Sequence, residues 1–243
     1  MPRRNFYRAV IFNFEGVLLE TERATCDAWK RAGAGSGYPM TEPVVRTLIG
    51  MPKSESGAFL QKVFGEAFPF EAIHQRMIFF RDAYFEHWGL CLKRGTTALM
   101  EVLDKFDVRK AIVSESSQKL VDKWTLHSGL FVHFPVVISA DENPAARNPI
   151  TRYLLAAERL NTPAEQCLVV EHSDCGVRSA HAAGMTVILV PGLQQPSAQA
   201  MLHAYHVEQT LENLADDLLP MLVPPFDDDS QRRTIITTTF QTH

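Results

Sequence analysis

An α/β fold on a doubly wound parallel sheet, with an all-helical insertion after the first strand, is what this sequence predicts. Three observations lead there. Short apolar runs recur at 8–14, 110–113, 135–138, 167–170 and 187–190, each short enough for a buried strand. Stretches of helix length stand between the later ones, at 98–106, 118–127, 150–160 and 173–183. From about 20 to 90 the pattern is helical throughout and dense in aromatics. Strands spaced by helices imply a parallel sheet wrapped on both faces.

Taken in order, residues 8–14 end in Glu15-Gly16, the mark of a strand meeting a turn. The helical stretch is punctuated at Gly33-Ala34-Gly35-Ser36-Gly37 and at Gly50-Met51-Pro52, and Arg94-Gly95 marks the return to the alternating pattern. The expected division is therefore an α/β core of residues 1–19 and 91–222 and a helical insertion at 20–90. Beyond Pro224-Pro225 come Asp227-Asp228-Asp229 and a Thr-rich end without a periodic apolar face, so 223–243 is expected to be a disordered or loosely docked tail.

The 243 residues are 46% hydrophobic and 21% charged, ordinary for a soluble domain of this size. A net charge of -4 argues against nucleic acid or an anionic membrane as partner. No apolar run approaches the roughly 18 residues that span a bilayer, and the basic opening Met1-Pro2-Arg3-Arg4 is followed by no signal core. Cys26, Cys91, Cys167 and Cys175 are scattered, as reduced thiols in a cytoplasmic protein would be.

Ligands of such sheets bind beyond the carboxyl ends of the strands. The residues there are Asn13, Phe14, Glu15 and Gly16; Ser114, Glu115, Ser116 and Ser117; Ser139, Ala140, Asp141, Glu142 and then Arg147; and Glu171, His172, Ser173 and Asp174. Polar side chains from four strands thus meet at one edge, which predicts a site.

The run Val10-Ile11-Phe12-Asn13-Phe14-Glu15-Gly16-Val17-Leu18-Leu19-Glu20-Thr21-Glu22 resembles the first motif of haloacid-dehalogenase-type phosphatases, a hydrophobic run followed by Asp-x-Asp-Gly-x-Leu-x-Asp-Thr/Ser-Glu. Ser114 fits the second motif, a Ser or Thr closing a strand. Glu171-His172-Ser173-Asp174-Cys175-Gly176-Val177 with Ala182-Ala183-Gly184-Met185 resembles the fourth, usually Glu-Asp-Ser-x-x-Gly and Ala-Ala-Gly-Met. The resemblance runs over residues 8–218 and points to the subfamily of phosphoglycolate phosphatase, β-phosphoglucomutase and pseudouridine-phosphate phosphatase. It implies a Rossmann-like core, with residues 20–90 as a mobile helical cap.

The departures carry as much information. The resemblance puts a nucleophilic aspartate where this chain has Asn13, whose amide has neither the charge nor the free lone pair to attack phosphorus. Glu15 stands at the acid/base position on an arm one methylene longer. The motif-three lysine falls on Arg147 by ungapped counting, or on Asn148 if the usual following proline sets the alignment. Arg147 keeps the charge in a bulkier fork that still suits phosphate. The expected anion contacts are Ser114, Ser116 and Arg147 or Asn148. Of the family's acidic magnesium ligands Glu171 remains, while His172 replaces an aspartate; the expectation is no Mg²⁺ or weak Mg²⁺. A transition metal on His172, Glu171 and Glu15 is the remaining cofactor option, with His172 as an uncoordinated loop histidine the plainer one. The resemblance thus implies a phosphatase-like protein with an impaired site, binding a small phosphorylated metabolite or a protein partner. The alternative is a metal-dependent hydrolase of small phosphomonoesters with a non-standard site.

Overall fold

The computed structural model describes residues 7–142 and 144–222; the expected tail at 223–243 lies outside the described residues. Six parallel strands stand in the order β3-β2-β1-β4-β5-β6. They are β1 (Ala9–Asn13), β2 (Arg109–Val113), β3 (Val136–Ile138), β4 (Cys167–Glu171), β5 (Thr186–Leu189) and β6 (His206–Val207). Between β1 and β2 come α1 (Glu22–Ala34), α2 (Glu42–Thr47), α3 (Lys53–Phe64), α4 (Phe70–Trp88) and α5 (Thr96–Lys105). The remaining helices are α6 (Gln118–Ser128), α7 (Pro149–Arg159), α8 (Asp174–Ala182), α9 (Ala198–His203) and α10 (Leu211–Leu218). The two-residue β6 carries no apolar run, so nothing in the sequence pattern had marked it.

Strand residues alternate between two cores, as a period of two requires. Val10, Phe12, Ile112, Leu168 and Val170 face Leu99, Leu103, Trp124, Leu211 and Leu214 on one side. Ile11, Ala111, Val113 and Val169 face Tyr153, Ala156, Val177 and Ala180 on the other. With both of its faces covered, β1 reads as a continuous apolar run rather than an alternating one. A fully buried Ile11 contributes about 1.5–3 kcal/mol to this packing.

The helices inserted after β1 have a core of their own, with Trp29, Val45, Leu48, Leu60, Ile73 and Met77 packed together. The chain leaves and re-enters the α/β body at one place: Leu19 bridges Leu92 antiparallel, Glu20 N donates to Cys91 O, and Lys93 N donates to Leu18 O. No helix among the described residues is long and apolar enough to cross a membrane.

Candidate functional site

Register sets the site. Asn13 pairs with Val113, Val113 with Ile138, and Phe12 with Val170, so the last residues of β1 to β4 end at one level. The chain turns sharply after Asn13: Phe14 N donates to Val113 O, Gly16 N donates to Leu19 O, and Lys93 Nζ reaches Gly16 O at 2.6 Å.

Asn13 Nδ2 donates to Glu171 Oε1 at 2.5 Å. Tyr153 OH donates to the same oxygen at 2.7 Å, and Glu171 Oε2 accepts from His172 N, Ser173 N and Ser173 Oγ. Burial alone would raise the Glu171 pKa, but His172, Asn13 and the Ser173 amide outweigh it and hold the carboxyl at about 2. Tyr153 is pushed the other way, well above an ordinary phenol, by burial first and then by Glu171.

His172 lies in the loop between β4 and α8, as the sequence suggested. It is buried, with its ring lying on the Cα of Gly16, where a side-chain carbon would meet Nε2 at 2.6 Å. Its Nε2 is 3.7 Å from Glu22 Oε1 and its Nδ1 is 3.6 Å from Glu171 Oε2. Both are ion-pair distances too long for hydrogen bonds, and Nδ1 and Glu22 Oε1 have no hydrogen-bond partner among the described residues. Burial lowers the His172 pKa, but Glu171 and Glu22 together raise it above the ordinary value. Glu22, which also accepts from Leu193 N at 2.9 Å, was quoted in the first motif but given no role from sequence; its approach to His172 exists only in the folded chain.

Glu15 points elsewhere. Ser114 Oγ donates to Glu15 Oε1 at 2.7 Å, and the Ser116 backbone amide donates to Ser114 Oγ at 3.0 Å. The three expected transition-metal ligands therefore do not converge: Glu15 goes to Ser114 while Glu171 and His172 sit together. Among the described residues, the one set of His, Cys, Asp and Glu side chains close enough to share an ion is His206 on β6, Glu208 just after it and Asp217 on α10.

Arg147 ends a 3-10 turn, Pro144–Arg147, and is exposed, with no hydrogen bond or ion pair to the described residues. Asn148 caps α7, its Oδ1 accepting from Ile150 N at 2.9 Å, so a helix start occupies that side chain. The buried cation of this region is Arg152, one turn into α7, whose Nη1 donates to Ala146 O at 2.9 Å and whose Nη2 lies 3.3 Å from Glu115 Oε1. A cleft of about 190 Å³ opens between Ile49, Met51 and Pro52 on the cap side and His172, Ser173 and Arg178 on the core side.

Strand-end carboxylates, a closing serine and a group of helices inserted after the first strand thus meet at one edge of a parallel sheet. The haloacid dehalogenase-like hydrolase family model matches residues 10–190, and the chain belongs to that family. It is 27% identical over 177 residues to a phosphorylated carbohydrates phosphatase of Thermotoga maritima, covering 73% of this chain and 82% of that protein. It is 23% identical over 185 residues to the fructose-1-phosphate phosphatase of Escherichia coli, covering 75% and 95%. A haloacid dehalogenase-like protein of unknown function from Agrobacterium tumefaciens superposes with a TM-score of 0.75 at 25% identity, over 88% of this chain and 99% of that one.

Magnesium is the ion the family's site implies, and these side chains do not fit it. Mg²⁺ takes oxygen ligands in a near-octahedral array. Here Asn13 turns an N–H toward Glu171, five donors already occupy the two Glu171 oxygens, and an imidazole ring fills the ground between Glu171 and Glu22.

Proposed function

We propose that this protein holds a small phosphorylated metabolite at the strand-end site without forming an aspartyl-phosphate, as a catalytically impaired, phosphatase-like relative of the sugar-phosphate phosphatases. One observation carries the reading: the side chain at the nucleophile position is an amide that donates its N–H to a buried carboxylate at 2.5 Å. Its nitrogen lone pair is delocalised, and its oxygen carries no charge with which to attack phosphorus. The phosphate would sit against Ser114, Ser116 and the backbone amides after β1, with Arg147 at the rim. The helical stretch 20–90 would act as a cap over a core of 1–19 and 91–222. The metabolite class follows the relatives, which are named for phosphorylated carbohydrates and fructose 1-phosphate. Four free cysteines accord with a cytoplasmic location. Phe79 and Trp88, exposed on α4, leave room for a protein partner on the cap as well.

A second reading has its own support. Glu15 keeps a carboxylate at the acid/base position, oriented by Ser114 at 2.7 Å, so a residual hydrolase could work by activating water directly. Phosphate release from a panel of phosphomonoesters, with Mg²⁺, Mn²⁺, Co²⁺ or Zn²⁺, separates the two. Wild type is expected to be silent, and Asn13→Asp with His172→Asp to turn over at least about a thousandfold faster. A wild type that equals or outruns the restored variants would overturn the first reading in favour of the second.

A further inference from the structure

We infer that the inner anion-binding group of this site is Arg152, and that Glu115 occupies it as a built-in stand-in for the ligand's oxyanion. The inference rests on the reading that the strand-end site holds a phosphate, and adds to it which cation takes the charge.

Arg152 exposes only 5% of its surface, yet its donors are poorly used. Nη1 donates to Ala146 O at 2.9 Å and Nη2 reaches a single Glu115 oxygen at 3.3 Å, while Nε has no partner among the described residues. Nε and Nη2 form the edge of the guanidinium that takes a carboxylate or phosphate side-on through two parallel N–H···O bonds. That edge is half used, by one long contact. Leaving a buried charged donor unmet is costly, so a ligand offering two oxygens has something to gain here that Glu115 does not supply.

Position supports the same assignment. Arg152 precedes Tyr153, whose hydroxyl binds Glu171, and Glu115 follows Ser114, which binds Glu15. The charges of Arg152, Glu15, Glu171 and His172 all act on the Glu115 carboxyl. The pair thus lies at the carboxyl edge of the sheet, beside the carboxylates of the site. Arg152 is sealed, whereas half of the Glu115 side chain is open to solvent. Swinging Glu115 outward would uncover the guanidinium without moving α7. A phosphate then replaces one carboxylate oxygen with two of its own, and Glu115 goes to water. Arg147, exposed and without a side-chain partner among the described residues, lies outside this exchange.

Binding of inorganic phosphate and of glucose 6-phosphate, read by calorimetry on the full chain, tests this. Glu115→Gln should tighten phosphate by about tenfold, and Arg152→Lys should weaken it by about tenfold, since Lys has no side-on edge. In Glu115→Gln/Arg152→Lys the gain should vanish, while in Glu115→Gln/Arg147→Ala most of it should persist. Thermal melts of each variant verify that it is folded. A gain that survives loss of Arg152 reports only the removal of a negative charge and overturns the inference, as does a Glu115→Gln that gains nothing. In both cases wild type that still binds phosphate without turnover leaves the wider reading standing. If wild type hydrolyses the ester, the non-catalytic reading falls and the same four-variant comparison is made on KM. If neither wild type nor Glu115→Gln binds either compound, both fall.

Discussion

His172 shows how one buried side chain can reorganise a site. Its ring lies on Gly16, with Glu22 on one nitrogen side and Glu171 on the other. These carboxylates raise its pKa against the effect of burial. A group whose folded-state pKa is raised stabilises the fold fully below its unfolded value, near 6.5 for histidine, and loses that contribution as pH climbs through the folded value. The gap in melting temperature between wild type and His172→Asn should therefore be widest below pH 6.5 and narrow as pH rises above it. Parallel melting curves for the two proteins would show that the imidazole carries no such charge. That Asn13, Glu15, Ser114 and Glu171 gather at one edge of the sheet was legible in the sequence, because each ends or directly follows a strand. Glu22, Lys93 and Arg152 were not assigned there, since each reaches the site from a helix or loop whose approach depends on the finished fold.

At the scale of elements, the turn after β1 depends on a glycine for two separable reasons. Gly16 has φ +76, which disfavours any side chain, and a carbon added to it would also lie 2.6 Å from Nε2 of the His172 ring. Gly184, closing α8, has φ +79 with nothing within 4 Å of its missing side chain. Gly184→Ala should thus report backbone strain alone, about 1 kcal/mol, whereas Gly16→Ala should cost about 2 kcal/mol more for the clash. Denaturant unfolding of the two variants measures the difference; equal losses would mean that the imidazole simply moves aside. Strands β1, β4 and β5 were legible because their apolar residues are buried on both faces of the sheet, and β2 and β3 because each still holds two or three consecutive apolar residues. The edge strand β6 pairs only Ile188 with His206 and Leu189 with Val207, too short a contact to impose a pattern. The amphipathic α10 did carry one, in Leu211, Leu214, Ala215 and Leu218, which pack under the sheet.

For the whole molecule, the decisive contacts are those between the inserted helices and the α/β body. Gly50, at φ +64, brings the loop after α2 so close to Ser173 that an added carbon would lie 2.2 Å from its Cβ. Arg81 on α4 lies over Trp124 on α6, 5.3 Å from the ring centre, and Lys123 pairs with Glu86. Gly50→Ala should lift the loop and leave both cores intact. Hydrogen exchange should then quicken at 47–55 and 172–176 by about tenfold or more, while the melting temperature falls by only a few degrees. Uniform acceleration across the sheet would instead mean that this contact belongs to the global fold.

The paired crossing at Leu19 and Leu92 has a consequence for inheritance. Because the chain departs and returns through neighbouring backbone hydrogen bonds, the seventy or so residues between can be lengthened, shortened or exchanged without shifting the register of a single strand. Mutation can thus revise the inserted helices while the residues at the strand ends stay fixed. It can equally alter those residues and leave the inserted helices untouched. The two halves of the molecule are free to be inherited at different rates.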